Sequence, residues 1–176
     1  DCDDPDCADA AICDFSCVDT DIGSDVNSAF GGNTADGVDN YVGSCAAVEQ
    51  GQEWIYEWTA PGTGYFSLSA EGDNFATALY ILDSCSGEEL ECSTASDEGP
   101  SADIDSFYAE EGRSYVIVVD SDEDGQAGGF GLFITAAPED DCSDETDNDF
   151  DGAVDCDDSD CASESDKDSD DSDKKS

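Results

Sequence analysis

Histidine is absent from this chain of 176 residues, and four lysines and arginines stand against 48 aspartates and glutamates. Without histidine, Ser-His and Cys-His nucleophile pairs are excluded. The formal net charge of −44 excludes binding to nucleic-acid phosphates, because that requires a basic surface. The basic side chains also offer no desolvated catalytic base, since Lys167, Lys174 and Lys175 lie in an acidic tail and Arg113 is the fourth.

Long apolar runs are missing as well. No stretch approaches the roughly 20 residues that a transmembrane helix needs, so the sequence predicts no membrane span. Acids are abundant, and composition alone leaves open a carboxylate pair for glycoside hydrolysis. No motif, however, indicates a catalytic carboxylic acid in an apolar cleft. We therefore predict that the protein is not an enzyme.

Cysteine is plentiful in this small sequence, with ten residues. Zinc sites usually recruit histidine or two close cysteine pairs, whereas these cysteines stand among aspartates, which are hard ligands. We therefore predict disulfides, which place the mature protein outside the cytoplasm. The cysteines are Cys2, Cys7, Cys13, Cys17, Cys45, Cys85, Cys92, Cys142, Cys156 and Cys161.

The stretch 142–161, CSDETDNDFDGAVDCDDSDC, carries the most specific pattern. Counted from Asp147 as position 1, acidic residues occupy positions 1, 3, 5, 9 and 12, and Gly152 occupies position 6. Calcium favours about 6–8 oxygen ligands, and alternating carboxylates on a tight glycine turn point inward together. The predicted calcium ligands are Asp147, Asp149, Asp151, the carbonyl of Ala153, Asp155 and Asp158, with Asp144, Asp157 and Asp160 as neighbouring candidates.

This stretch resembles an EF-hand calcium loop, although position 12 is Asp158 rather than glutamate and no amphipathic helix flanks the loop. With its cysteines it resembles the Asp-rich, Cys-containing metal-binding repeats of secreted bacterial proteins and, more distantly, thrombospondin type 3 repeats. The resemblance implies calcium binding over about twenty residues. A solvated acidic linker is the alternative interpretation.

The opening residues 1–17 repeat half of this motif, because DCDDPDC at 1–7 differs from DCDDSDC at 155–161 only at its fifth position. Such agreement argues against coincidence in an Asp-rich chain. Short bridges Cys2–Cys7 and Cys156–Cys161 would be equivalent in the two copies, although connectivity cannot be deduced from sequence. The candidate ligands in the first copy are Asp1, Asp3, Asp4 and Asp6.

Between the acidic ends, residues 18–137 read as an all-β domain. Runs of 4–8 residues alternate between apolar and polar positions and are separated by turn residues, which predicts a jelly-roll-like β-sandwich. The run 114–119, SYVIVV, is apolar on both faces and is predicted to be a central strand. The other predicted strands are 29–30, 41–42, 53–59, 65–70, 75–82, 90–93, 104–108 and 130–135.

The order of the segments TAPGTGYFSLSA, FATALYILDSC, GEELEC, YVIVVD and GGFGLFIT, over about 31–136, resembles the pre-peptidase C-terminal domain. That family is a jelly-roll-like sandwich appended to secreted bacterial hydrolases. The resemblance implies a secretion, targeting or binding module without catalytic activity. Cys85 and Cys92 flank the loop SGEELE, and we expect them to pair.

Two features of the β domain have two interpretations each. Trp54, Tyr56 and Trp58 stand at every second position, which is the period of a strand and places them on one face. This favours core packing over a sugar-stacking platform. A second D-x-D-x-D-G motif lies between two predicted strands and is either a calcium site or a hydrated hairpin turn. Its candidate ligands are Asp120, Asp122 and Asp124.

The patterns divide the chain into an Asp/Cys-rich half-motif (1–17), a sandwich (18–137), a calcium loop (138–161) and an acidic tail (162–176). We hypothesise that several calcium ions bridge the acidic ends of successive copies, so that subunits assemble head to tail into an extracellular filament. This arrangement resembles secreted microbial fibres whose β-sandwich subunits are joined by rows of calcium. The alternative is a secreted module that binds matrix or polysaccharide and uses calcium only for local stability. A third hypothesis is a calcium store or mineral-nucleating matrix protein.

Overall fold

The computed structural model describes residues 17–45, 51–95, 99–122 and 125–138, and within the C-terminal motif 147, 149–150, 153–154, 157 and 161. These residues form nine β-strands and include the 3-10 turn Thr34–Asp36, and none of them forms a helix long and apolar enough to cross a membrane. The strands are β1 Thr20–Asp21, β2 Ser28–Asn33, β3 Trp54–Thr59, β4 Gly64–Gly72, β5 Thr77–Leu82, β6 Glu89–Thr94, β7 Ser101–Ala109, β8 Ser114–Ser121 and β9 Gly129–Ala136.

The strands form two packed sheets. One has the order β1-β3-β8-β5-β6 and the other has the order β2-β9-β4-β7. All pairings are antiparallel except the short parallel contact of β1 with β3. From β2 onwards each strand lies in the opposite sheet from the strand before it, except in the β5–β6 hairpin, which gives a jelly-roll-like order. The predicted all-β sandwich is confirmed, and β8 is central, between β3 and β5.

The main core lies between the sheets and is rich in aromatic rings. Trp58 is fully buried and packs edge-on against Phe66, with 4.9 Å between ring centroids, and Tyr56 packs edge-on against Phe130. Trp54 is partly buried against the same cluster. This burial confirms the preference for core packing over a sugar platform. Full burial of one such ring stabilises the fold by about 1.5–3 kcal/mol.

A second, smaller core lies on the outer side of the five-stranded sheet. Its buried members are Ile55, Tyr80, Leu82, Val116 and Val118. The loop over residues 38–45, here called the cover loop, contributes Tyr41 to this cluster. Two disulfides border the cluster and hold its cover in place.

Those disulfides join Cys17 to Cys85 and Cys45 to Cys92. The expected Cys85–Cys92 pair is therefore wrong. The two cysteines belong to neighbouring segments of a hairpin, but each finds its partner in a segment that packs over the sheet from elsewhere in the chain. Cys161 is buried and also disulfide-bonded. The proposed bridges Cys2–Cys7 and Cys156–Cys161 involve cysteines outside the described residues.

The predicted strand at 41–42 is also wrong. Instead of pairing with a neighbouring strand, the backbone N–H groups of Asn40 and Tyr41 donate to the carboxylate of Glu53, at 2.7 and 3.2 Å. The Tyr41 hydroxyl donates to the carbonyl of Cys85. Side-chain acceptors thus replace a strand partner, and the segment becomes part of the cover loop.

Candidate functional site

The outer face of the four-stranded sheet carries an exposed aromatic pair. In β4 the sequence YFSLSA alternates, so that Phe66 and Leu68 enter the core and Tyr65 faces solvent. Tyr65 lies directly opposite Tyr108 of β7, and the two rings meet edge to face with 5.3 Å between centroids. The two residues are 56% and 52% exposed, so about half of the surface of each is accessible to a ligand.

Beside this pair the sheet contains a β-bulge that opens a pocket. The register between β4 and β7 shifts between Phe66 and Leu68, so that Asp105 and Ser106 together oppose Ser67. Both β7 residues are exposed, as expected where a bulge turns side chains out of the regular alternation. The pocket has a volume of about 370 Å³, and its lining includes Tyr65, Ser67, Asp105, Ser106 and Thr135.

The same face continues past the centre of the sheet. Phe133 of β9 is 42% exposed and lies opposite Ser69 of β4. It lines a second shallow pocket of about 360 Å³ together with Glu71 and Asp73. The open face therefore combines exposed aromatic rings with hydroxyl and carboxylate groups. We call the surface formed by Tyr65, Tyr108 and the bulge pocket the aromatic face.

The predicted calcium loop is described only in part. Among the described residues, no group of three or more acidic or cysteine side chains is arranged to hold a metal ion. The predicted ligands that the structure describes in this loop are Asp147, Asp149, Ala153 and Asp157. The candidates outside the described residues are Asp1, Asp3, Asp4, Asp6, Asp124, Asp144, Asp151, Asp155, Asp158 and Asp160. Calcium binding by the loop stays a prediction.

Phe150, at position 4 of that loop, packs on the sandwich. Its ring stacks on Phe66 with centroids 5.9 Å apart and planes within 5°. A side chain at Gly62 would collide with the ring, so the close approach depends on this glycine. Asn27 adds a hydrogen bond from its side-chain amide to the carbonyl of Asp149, at 3.4 Å. The loop is therefore anchored to the β domain, which the sequence pattern did not predict.

The backbone at Phe150 has a positive φ of 59°. A left-handed conformation costs a non-glycine residue roughly 1–2 kcal/mol. The contacts of the ring with the core offset that cost. The anchoring therefore constrains the loop backbone at the residue between two predicted ligands, Asp149 and Asp151.

The second D-x-D-x-D-G motif begins inside a strand. Asp120 belongs to β8 and is fully buried, and its carboxylate accepts hydrogen bonds from the Ser121 N–H and, at 3.4 Å, from the Tyr80 hydroxyl. Asp122 is half-buried, and its N–H donates to the carbonyl of Ala76. Gly125 provides the positive φ of the turn. A calcium site in this loop stays a prediction, with Asp120 facing the interior.

Asp120 faces a second buried carboxylate, Glu53. Trp54 pairs with Val119 in the β3–β8 ladder, so Glu53 and Asp120 are the next residues to face each other. Both are completely buried. Burial, with a smaller contribution from the negative charge of Asp120, raises the pKa of Glu53 to about 7, against the lowering effect of the hydrogen bond from Asn40. Burial likewise raises the pKa of Asp120 to about 7.

Sequence reasoning missed the aromatic face and Glu53. The alternation of YFSLSA could have identified Tyr65, because an aromatic residue stands where the pattern requires an exposed side chain. Glu53 offered no such signal. Its proximity to Asp120 depends on the register between β3 and β8, which sequence periodicity does not give.

Comparison with known proteins found solved structures that are similar to part of this chain. No protein-family model and no curated protein matches the chain. The pre-peptidase C-terminal domain of a Bacillus anthracis collagenase aligns with TM-score 0.46 and 14% identity, over 66% of this chain and 95% of that chain. A mitogen derived from Yersinia pseudotuberculosis aligns with TM-score 0.40 and 12% identity, over 66% and 91%. A family 35 carbohydrate binding module from an environmental isolate aligns with TM-score 0.35 and 13% identity, over 59% and 84%.

Proposed function

We propose that the chain is an extracellular binding module that attaches to a neutral polysaccharide through its aromatic face. The observation that carries this proposal is the exposed Tyr65–Tyr108 pair beside the bulge pocket. The two disulfides of the β domain support an extracellular location, because such bonds persist in oxidising compartments. A binding role without catalysis also fits the absence of histidine from the sequence.

The chemistry of the aromatic face suits a sugar. Aromatic rings present large apolar surfaces against which the C–H faces of a pyranose can pack. Sugar hydroxyls then need a few well-placed polar partners, which is how small-molecule pockets gain specificity. Ser67, Ser106 and Thr135 supply hydroxyl groups beside Tyr65, and Asp105 supplies a carboxylate acceptor.

The charge of the chain narrows the class of polysaccharide. With a net charge of −44, the protein repels anionic polymers over distances comparable to the Debye length. Among the described residues, no basic side chain lines the bulge pocket to hold a uronate or sulfate, and Arg113, the sole basic residue there, pairs with Glu110. A neutral glycan is not repelled by the negative charge and needs no basic side chain to bind.

The test is the double substitution Tyr65→Ala and Tyr108→Ala. We expect the wild-type chain to be retarded in affinity gels that contain one of a panel of neutral glycans (cellulose derivatives, xylan, mannan, β-glucan). The double variant should lose at least tenfold in affinity, because both stacking surfaces are removed. Val42→Ala is the control, since Val42 is 61% exposed but lies in the cover loop on the other sheet. Equal retardation of wild type and double variant, or none with any glycan, would contradict the proposal.

A second candidate function is calcium-dependent assembly into an extracellular filament. The anchoring of Phe150 favours it, because a loop held against the sandwich would present its carboxylates to the next subunit at a defined position. Calcium ions bridging the acidic loop of one copy and the acidic start of the next would then offset their mutual repulsion. Such a contact between unlike surfaces propagates unless its rotation closes a ring.

Electron microscopy with and without EDTA tests this assembly. We expect fibres in calcium and monomers after chelation. The variant Asp149→Asn with Asp151→Asn should weaken assembly far more than Asp122→Asn, because only the former removes carboxylates from the C-terminal loop. Phe150→Ala should weaken it as well by releasing the anchor. If particle size does not respond to EDTA, the filament is excluded, while the polysaccharide-binding proposal is unaffected.

A further inference from the structure

Glu53 and Asp120 place two carboxylates face to face, with no basic partner among the residues that the structure describes. They stand opposite each other at the end of the β3–β8 ladder, and both residues are 0% exposed. Like charges directly opposite in a sheet destabilise it. Arg113, the sole basic residue in the described part of the chain, pairs instead with Glu110 at the surface. A buried pair of this kind therefore needs either a bound proton or a neighbouring cation to neutralise its charge.

The hydrogen bonds around the pair satisfy three of its four oxygens. Glu53 Oε1 accepts from the N–H groups of Asn40 and Tyr41, and the two oxygens of Asp120 accept from Ser121 and Tyr80. Glu53 Oε2 is buried and receives no hydrogen bond from the described residues. A buried carboxylate oxygen without a donor is costly unless a cation or proton occupies the space beside it.

The surroundings add negative charge and hold the pair in place. Asp39, on the cover loop, acts on Asp120 through its negative charge. The cover loop itself is tied down at both ends of this region, by the Val38–Glu53 bridge and by the Cys45–Cys92 disulfide. Ser44 also donates its N–H to Glu89, at 2.9 Å. The two carboxylates are thus positioned by the fold before any ligand arrives.

We propose that Glu53 and Asp120 bind one divalent cation, with Ca²⁺ as the fitting ion, at a site separate from the Asp147 loop. The donors are carboxylate oxygens, which suit a hard cation and disfavour zinc or copper. Two protein carboxylates, completed by water and backbone carbonyls, are typical of weak sites that fill at the millimolar calcium of extracellular fluids. The site would secure the cover loop to the sheet, and it goes beyond the proposed polysaccharide binding.

The experiment must separate this site from the many other acids of the chain. We would use the full chain with Asp147→Asn and Asp149→Asn, which disables the predicted loop site, and compare it with the same chain carrying Glu53→Gln in addition. At pH 8 in 10 mM CaCl₂, the background chain should gain about 5 °C in Tm over its value in EDTA, because ligand binding to the folded state stabilises it. The Glu53→Gln chain should gain less than a third of that.

Glu53→Gln is expected to fold, because the amide oxygen can still accept from Asn40 and Tyr41 and one buried charge is removed. Its Tm in EDTA should therefore equal or exceed that of the background chain. Isothermal titration with CaCl₂ gives a second readout, in which Glu53→Gln and, independently, Asp120→Asn should each remove one binding event. Glu110→Gln is the matched exposed control. An equal calcium-induced rise in Tm with and without Glu53, or an unchanged stoichiometry in both variants, overturns the proposal.

Discussion

Replacing Cys17 and Cys85 with alanine should lower the free energy of unfolding by about 4 kcal/mol. The two residues are 68 positions apart, and a bridge over so long a loop removes much conformational entropy from the unfolded chain. Cys45 and Cys92 are 47 positions apart, and their removal should cost nearly as much. Urea denaturation at 25 °C measures both effects. They are large beside the roughly 5–15 kcal/mol that stabilise an ordinary domain.

The pairing itself can be checked at the same time. Proteolytic peptides of the oxidised wild-type chain should show Cys17 joined to Cys85 and Cys45 joined to Cys92. Because both disulfides border the second core, removing both should expose Tyr80 and Ile55 beneath the cover loop. Ser24→Ala serves as an exposed control. A peptide that links Cys85 to Cys92, or an unchanged urea midpoint in the alanine variants, would contradict the structure.

In calcium-free buffer, the domain should lose stability as the pH rises from about 4 to 8. The pKa of Glu53 rises on folding from 4.5 to about 7, and that of Asp120 from 3.8 to about 7. At a pH between the unfolded and the folded pKa of each group, the carboxyl is protonated in the folded protein and ionised in the unfolded chain. The stabilisation is therefore complete below pH 4 and is lost as the pH passes through about 7. One such carboxyl accounts for roughly 3 kcal/mol.

Urea midpoints measured in EDTA between pH 4 and pH 9 test this expectation. The general charge repulsion of an acidic chain also weakens the fold as the pH rises. Comparison with variants therefore separates the contribution of the buried pair from this general effect. Glu53→Gln should flatten the profile by removing one titrating group and the repulsion on Asp120. Glu110→Gln, an exposed neighbour of Arg113, should leave its slope unchanged. Parallel profiles for wild type and Glu53→Gln would show that the buried pair does not titrate as expected.

Local pattern was enough to predict the sandwich but not its connections. Alternation in 53–59 and 65–70 places Trp58 and Phe66 in the core, and the doubly apolar run 114–119 marks the central strand β8. The disulfides were mispredicted because neighbours in sequence were assumed to be neighbours in space. In a jelly roll the segments that pack together come from distant parts of the chain, so Cys85 meets Cys17.

The candidate sites were predictable to different degrees. Tyr65 breaks the alternation of polar outward residues and could have been found from the sequence. Predicting the proximity of Glu53 and Asp120 requires the strand register. Predicting the contact of Phe150 requires knowing that the ring packs where Gly62 has no side chain. The sequence pattern of the predicted calcium loop accounts for its acidic positions and its glycine. It does not account for the aromatic residue between them, whose reason is the contact with Phe66.

The two disulfides overlap along the chain, because one spans 17–85 and the other spans 45–92. Proteases cut folded proteins first at exposed turns. Any single cut between Cys45 and Cys85 lies inside both spans, so the two pieces remain joined by two covalent links. The strands of both sheets would then stay together at high effective concentration, and a nicked molecule would keep its sandwich and its aromatic face.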